Sequence, residues 1–216
     1  MLNIQKRRKI VKKMKEIVNS IWEVPIFYKL LQATLAGGGH TVIKKYLQEK
    51  ISKTDEKILD QGCGTGEYSL LFGNRYTGLD VSSGYIADAQ KKYSGTFIVG
   101  SADKMNFPDN KFDVVFAVGL HHHLTEEQAK KAIKESLRVA KEGGRVLIVD
   151  AILPKNKLNL FGLILRKMDR GGFVRDHRKT LTLLPPKLKY NYKILSSYPF
   201  DYVSIEIIKT QVMDNN

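Results

Sequence analysis

Ile58-Leu59-Asp60-Gln61-Gly62-Cys63-Gly64-Thr65-Gly66 decides the fold. A short apolar run ends in an acid and opens into three glycines at alternate positions. Without a Cβ, glycine permits a tight turn and lets a ligand lie against the backbone. Glu67-Tyr68-Ser69-Leu70-Leu71-Phe72 then reads as the start of a helix. Strand, glycine loop and helix make half of a nucleotide-binding βαβ unit. Fourteen residues after Gly66, the run Tyr76-Thr77-Gly78-Leu79-Asp80 ends in a second acid. A doubly wound fold places there the carboxylate that holds a ribose hydroxyl pair.

The loop chemistry narrows the ligand. A dinucleotide fingerprint needs G-x-G-x-x-G with a helix N-terminus aimed at a pyrophosphate. Here the pattern is G-x-G-x-G, preceded by Asp60 and followed by Glu67. Carboxylates on both sides of the loop disfavour a pyrophosphate, and with it a dehydrogenase. They suit a ligand with a cationic group such as an amino-acid ammonium. Further pieces follow in order. Phe97-Ile98-Val99-Gly100 reads as a third strand, followed by Ser101-Ala102-Asp103. Val114-Val115-Phe116-Ala117-Val118 reads as a buried fourth strand leading to His121-His122-His123-Leu124. Thr125 is placed to cap the next helix, with Glu126 and Glu127 in its first turn. Gly143-Gly144 is expected to end that helix, and Arg145-Val146-Leu147-Ile148-Val149-Asp150 to be a fifth strand.

This series closely resembles the class I S-adenosylmethionine-dependent methyltransferases, in particular the type 11/25 group with small-molecule acceptors. The resemblance is dense over residues 40–150 and loose in the tail. It implies an α/β fold: a Rossmann-like, doubly wound, seven-stranded sheet, mostly parallel, with an antiparallel C-terminal strand and an N-terminal helical cap. It also implies S-adenosyl-L-methionine as cofactor and S-adenosyl-L-homocysteine as product. Asp60, Gly62, Cys63, Gly64, Thr65 and Gly66 would lie against the methionine and ribose parts. Asp60 would act on the ammonium directly or through water. Asp80, with Val81 and Ser82, would hold the ribose. Ala102, Asp103 and Lys104 would stand near the adenine amino group, and Val118 beside the cofactor. The shared alternative for the three acids is capping or turn formation. Cys63 reads as a small loop residue rather than a nucleophile.

The chain has 216 residues, enough for one domain with a sizeable core. A single cysteine excludes an internal disulfide framework and fits a reducing, cytoplasmic compartment. No apolar run approaches the roughly 20 residues that span a bilayer, and the basic N-terminus lacks the apolar stretch of a secretory signal. Net charge is +14, unevenly spread: residues 1–57 carry 13 Lys/Arg against 5 Asp/Glu, residues 58–150 carry 11 against 12, and residues 151–216 carry 12 against 5. A neutral core between positive flanks would steer an anionic acceptor or an anionic surface. The alternative is a lysine-rich solvated surface.

The flanks divide the chain into a basic helical cap (1–39), the cofactor-binding core (40–150) and an acceptor-side insertion with antiparallel strands (151–216). Residues 4–22 read as an amphipathic helix, with Ile10, Met14, Ile17 and Ile21 on one stripe and a basic remainder. Such a helix serves as a lid, or gives peripheral contact with an anionic membrane. The following aromatic run offers Tyr28 to the acceptor pocket. Gly37-Gly38-Gly39 reads as a joint before a helix starting near Thr41, whose Val42, Ile43, Tyr46, Leu47 and Ile51 face the sheet. Ser82–Lys92 and Thr125–Lys141 read as crossover helices, and Leu158–Met168 as an inserted helix. Arg170, Arg175, His177 and Arg178 form a cationic cluster suited to a carboxylate or phosphate, or else a structural pairing of Arg175 with Asp169 or Asp176. Residues 193–198 and 202–208 read as two final strands around Pro199.

Methyl transfer from a sulfonium needs nucleophile, methyl and sulfur nearly collinear in a dry pocket. An acceptor hydroxyl or ammonium must also lose a proton, for which histidine is suited near neutral pH. His121 and His122 are the candidate bases at the mouth of the fourth strand, and His177 from the cap side; His122, Arg170 and Arg175 also belong to the candidate acceptor contacts. Consecutive histidines diverge, and no carboxylate sits at ligand spacing beside them, so no metal is expected. The sequence reading is thus an S-adenosylmethionine-dependent methyltransferase for a small or carrier-linked, anionic acceptor, with no obligate protein partner. An RNA methyltransferase is the alternative enzyme, although an Asn/Asp-Pro-Pro-Tyr-like motif is missing, which disfavours nucleic acid. A non-catalytic binding or scaffold protein is the other alternative.

Overall fold

In a computed structural model the structure describes residues 25–156, 158–167 and 172–210, with side chains from Gly38 onward except that of Lys167. Helix α1 (Pro25–Lys50) leads to β1 (Ile58–Gln61), the glycine loop, a one-turn α2 (Ser69–Phe72) and β2 (Tyr76–Asp80). Then come α3 (Ser83–Lys92), β3 (Thr96–Val99), β4 (Phe112–Val118), a 3₁₀ turn (His121–His123), α4 (Glu126–Val139) and β5 (Ala140–Ile152). Helices α5 (Leu160–Lys167) and α6 (His177–Leu181) precede a hairpin of β6 (Tyr190–Ser197) and β7 (Phe200–Ile208).

The seven strands lie in the order β3-β2-β1-β4-β5-β7-β6. The pairings from β3 to β5 are parallel, and β7 is antiparallel to both β5 and β6. Strand order reverses between β1 and β4, so a crevice opens beyond their C-terminal ends, where open α/β sheets bind ligands. Side chains alternate across the sheet. Val114, Phe116, Leu147 and Val149 join one apolar cluster with Ile43, Tyr46, Leu47, Phe72 and Tyr76. Val115, Val146 and Ile148 join the other with Ile133, Leu137 and Ile205. Both faces are covered, which is why β4 and β5 read as continuous apolar runs rather than alternating ones.

Several boundaries differ from the sequence expectation. The helix after the glycine loop is a single turn followed by a 3₁₀ turn at Gly73–Arg75, because Gly73 takes φ 57° and breaks the α ladder. Helix α4 begins as expected: Thr125 caps it and forms a reciprocal capping box with Gln128. It ends at Val139, not at the glycines. Gly143-Gly144 instead lies inside β5, at an excursion where the partner of β4 passes from Ala140 to Arg145 within two residues of β4. A side chain at Gly144 would meet the carbonyls of Lys141 and Asp113, so the tight excursion needs that glycine.

Gly37, Gly38 and Gly39 lie within α1 rather than forming a joint. Each glycine costs a helix roughly 0.8–1 kcal/mol against alanine. The turns that follow them are anchored by the buried Ile43, Tyr46 and Leu47. The division of the chain into two compact units falls just beyond them, between His40 and Thr41. The sheet belongs to the second unit. The expected amphipathic helix over residues 4–22 lies outside the described residues. No helix among the described residues is long and apolar enough to cross a membrane.

Candidate functional site

The glycine loop is tied to the end of β2 by its own backbone. Gly62 and Cys63 both donate N–H to the Leu79 carbonyl, at 2.7 and 2.9 Å. Gly64 donates to Asp80 Oδ2 at 2.9 Å, and Ser82 donates to Asp80 Oδ1 at 2.8 Å. The Asp80 carboxylate is therefore held by one backbone donor on each oxygen, half-buried, with further lone pairs on both. Gly64 takes φ 53°, and a Cβ added there would meet nothing within 4 Å, so its face is open for a ligand. Gly66 has the opposite surroundings: a Cβ would fall 2.6 Å from the Phe97 ring and 2.9 Å from Ala89. One glycine leaves room for a ligand, and the other lets the loop pack on α3 and β3. Thr65 is exposed, and Val81 leaves its apolar side chain 76% exposed beside Asp80.

Asp60 sits beneath this loop, fully buried, and accepts a 2.6 Å hydrogen bond from the Tyr76 hydroxyl. Burial raises its pKa to about 7, the Tyr76 hydrogen bond opposes the rise, and the Asp80 charge adds to it. Burial, then the charges of Asp60 and Asp80, push the Cys63 thiol up, so it stays protonated at neutral pH. Its sulfur packs on Gly78, where a Cβ would come within 2.8 Å. Gln61, the last residue of β1, donates to the carbonyls of Ala102 and Ala132 and accepts from the Ser136 hydroxyl. It thereby fixes the Ala102-Asp103-Lys104 turn against α4. Asp103 is half-buried and accepts from the Ser101 hydroxyl, and Lys104 is exposed. Gln61 carried no sequence signal beyond its place between an acid and a glycine.

Val118 ends β4 opposite Val149 of β5. Gly119 N–H donates to the Val149 carbonyl, and the chain then turns through His121–His123. Leu120 closes against the glycine loop: a Cβ on Gly62 would lie 2.8 Å from its Cδ1. His122 is buried, and its Nδ1 lies 2.7 Å from Asp150 Oδ1. The same oxygen accepts from the Ala151 N–H at 3.0 Å. Asp150 was not among the residues singled out from the sequence. The available signal was its place at the C-terminal end of a parallel strand, as with Asp60 and Asp80. His121 is also buried, and neither ring nitrogen has a hydrogen-bond partner among the described residues. Burial is the main cause that lowers its pKa, keeping the ring neutral.

Arg175 is placed on this turn from outside. Its guanidinium donates to the carbonyls of His121 and Leu124, each at 2.9 Å. Asp176 accepts from Lys179 N–H as the N-cap of α6, rather than pairing with Arg175. Phe173 N–H donates to the His122 carbonyl, which fastens the 173–175 segment across the turn. His177 opens α6, half-buried, and among the described residues shares no hydrogen bond with the His122–Asp150 pair. Arg170 and the Tyr28 side chain lie outside the described residues.

Two clefts among the described residues lie away from the glycine loop. One, of about 790 Å³, is lined by Leu158, Leu160, Phe161, Tyr198, Pro199 and Asp201 among others. Asp201 pairs with Ile152, so this cleft opens two residues beyond Asp150 on the same edge of the sheet. The other, of about 500 Å³, includes Glu126, Phe173, Arg175 and Lys179. Size does not locate the chemistry here. The hydrogen-bonded carboxylate at Asp80 and the open face at Gly64 are more specific than either volume.

Residues 59–148 match the methyltransferase domain family. The ubiquinone/menaquinone biosynthesis C-methyltransferase UbiE of Pseudomonas savastanoi pv. phaseolicola is 32% identical over 161 residues, 68% of this chain and 62% of that protein. UbiE of Pseudomonas putida F1 is 32% identical over 162 residues, with the same coverage. The chain thus spans 62% of the length of these relatives. Among solved structures, YcgJ of Bacillus subtilis superposes with a TM-score of 0.63 at 19% identity, covering 80% of this chain and 99% of that one. Geranyl diphosphate C-methyltransferase of Streptomyces coelicolor superposes with a TM-score of 0.64 at 14% identity, covering 79% of each chain. The [4+2]-cyclase SpnF shares the fold as well, at a TM-score of 0.63 and 18% identity over 78% of this chain and 80% of that one. The architecture alone therefore does not specify the reaction.

Proposed function

The chain belongs to the class I S-adenosylmethionine-dependent methyltransferases, and from that premise we propose that it transfers a methyl group to carbon of a small acceptor of the quinone-precursor class. The observation that carries the cofactor reading is the Asp80 carboxylate, clasped by Gly64 N–H and Ser82 N–H beside the open face of Gly64. The remaining lone pairs on its two oxygens fit the paired hydroxyls of a ribose. Exposed Val81 offers an apolar surface to the adenine, and Asp103 an acceptor for its amino group. Asp60, one layer below, contributes through the electrostatics of the loop floor. The cofactor supplies an electrophilic methyl and a neutral sulfur leaving group. The protein's part is to orient the acceptor, exclude water and receive a proton.

Carbon as the methylated atom, and an acceptor of the quinone-precursor class, are supported by the names of the UbiE relatives, which are ubiquinone/menaquinone biosynthesis C-methyltransferases. The cleft of about 790 Å³, where Leu158, Leu160, Phe161 and Phe200 stand beside Lys155, Asn159 and Asp201, agrees with an acceptor that has both an apolar and a polar part. An acceptor with an anionic or carrier-linked portion agrees with the positive net charge of residues 1–57 and 151–216.

Isothermal titration tests the cofactor site. S-adenosylhomocysteine is expected to bind one-to-one with micromolar affinity, and NAD not at all. At about 100 times its dissociation constant it should stabilise the protein by roughly 2.7 kcal/mol. Asp80→Ala is expected to abolish both signals. Equal binding to that variant would remove Asp80 from the ribose site, and no binding to the parent chain would overturn the cofactor reading.

A further inference from the structure

We propose that Gln61 is a positioning residue for the adenine end of the cofactor: by holding the Ala102 carbonyl it fixes Asp103 relative to Asp80, and so makes the site select a purine with a 6-amino group. This rests on the cofactor reading above, in which Asp80 takes the ribose and Asp103 the adenine amino group.

Gln61 is out of keeping with its strand. β1 sends Ile58 and Leu59 into the two apolar clusters, yet it ends in a carboxamide with 0% exposure. Burying an amide is costly unless its groups are hydrogen-bonded. Nε2 has two protons, and they go to the carbonyls of Ala102 at 2.8 Å and Ala132 at 2.9 Å. Oε1 accepts from the Ser136 hydroxyl at 2.7 Å. The reverse orientation of the amide would set its oxygen against two carbonyl oxygens, so the network admits one placement. Each such bond contributes modestly to net stability, but a closed buried network specifies a single arrangement.

What it specifies is the course of residues 100–105. Gly100 N–H donates to the Asp80 carbonyl at 2.9 Å, which ties the entry of this segment to the ribose acid. At its exit, Met105 N–H donates to Glu135 Oε2 and the Met105 carbonyl accepts from Arg138, both residues of α4. Between these anchors Ser101 bridges to Lys104, and the Ser101 hydroxyl donates to Asp103. Gln61 grips the middle of the turn, at the residue next to Asp103, and ties it to β1 and α4 together. The following residue, Gly62, donates to the Leu79 carbonyl, one position before Asp80. Two consecutive residues thus reach the ribose side and the adenine side of the crevice, and the end of β1 sets the spacing between the two carboxylates.

Selectivity then follows from hydrogen-bond chemistry. A carboxylate oxygen accepts only, so Asp103 favours a 6-amino donor and repels the oxygen of a 6-oxo purine. A site built to hydrogen-bond one group rejects the analogue that lacks it, provided its own polar groups are held in place. A released turn would let Asp103 turn to water, and the distinction would be lost.

Isothermal titration with S-adenosylhomocysteine and S-inosylhomocysteine tests this on the full chain, on Gln61→Met and on Ser136→Ala. Methionine keeps an unbranched side chain but has no donor. Ser136→Ala removes the partner of Oε1 and leaves both Nε2 bonds, so it disturbs the network without releasing Ala102. The parent is expected to prefer the adenosyl ligand by about 10-fold or more, the scale of one hydrogen bond. Gln61→Met should lower S-adenosylhomocysteine affinity by about 10-fold and leave S-inosylhomocysteine affinity unchanged, while Ser136→Ala keeps the preference. A preference retained in Gln61→Met, an equal loss for both ligands, or a preference lost in Ser136→Ala would overturn the role. A second measurement needs no variant: in the unliganded parent the Gln61 side-chain amide protons should exchange with solvent far more slowly than those of exposed Gln128. Equal rates would mean that the grip on Ala102 is absent, and would sink the proposal. A parent that binds neither ligand fails the cofactor reading, and one that binds both equally fails the adenine assignment of Asp103; either result also overturns the role of Gln61. A parent preference that survives in Gln61→Met refutes this inference alone.

Discussion

Asp60 is a carboxyl group in a place that resists ionisation. It has no solvent, one hydroxyl donor in Tyr76, and Asp80 nearby. Its native pKa of about 7 lies above the 3.8 of a solvated aspartate. The folded state therefore holds a proton that the unfolded state has released between those values, and stability falls as pH rises through that window. The favourable contribution is complete below about pH 4 and is gone above about pH 7, an effect on the order of 4 kcal/mol. Asp60→Asn keeps an oxygen for Tyr76 and removes the titration. Urea unfolding at pH 5 and pH 8 should show the parent chain losing stability relative to this variant; parallel behaviour at the two pH values would contradict the shift. Sequence pattern alone singled out Asp60 and Asp80, because each closes an apolar run beside glycines. It passed over Asp150, which stands two residues before the end of β5, because no glycine loop follows to mark it. Nor could spacing reveal that Arg175 would serve two backbone carbonyls rather than an anion, since that depends on a contact 54 residues away in the chain.

The turn at His121–His123 is the element on which the site depends, and side chains outside it set its shape. It spans only three residues and has no side-chain cap. Arg175 replaces that missing cap with two charge-assisted donors in a fixed fork, which a lysine cannot reproduce. Arg175→Lys should lower stability by about 2 kcal/mol, within the range for hydrogen bonds to charged groups. Hydrogen exchange should rise at residues 119–125 more than elsewhere, and uniform protection would refute this assignment. Elements with their own local signals were readable from sequence: α4 from Thr125 and its acidic first turn, α3 from Ser82, the β6–β7 hairpin from its apolar runs. The excursion at Gly143-Gly144 was read as a helix end because glycine is common there. Its cause is tertiary: two carbonyls, one from β4's own start, occupy the space of a side chain.

Across the whole molecule, the sheet unit from Thr41 onward contains every hydrogen bond of the site described here. A chain of residues 41–216 keeps the buried Ile43, Tyr46 and Leu47, and begins on a threonine suited to capping the shortened α1. It should unfold cooperatively and bind S-adenosylhomocysteine as the longer chain does. Loss of the cooperative transition in circular dichroism would mean that residues 1–40 belong to the same folding unit. The molecule's long-range order has one further consequence, in the two-sided pairing of β5. Val149 is matched to Val118 on one side while Asp150 is matched to Val203 on the other. Because a strand has a period of two, this double matching fixes a parity. Insertion or loss of one residue between Arg145 and Asp150 would bring an apolar neighbour to the histidine and turn the acid away. A change of length in this strand would thus undo at once the His122–Asp150 contact and the pairing of β5 with β7, whose registers are set together.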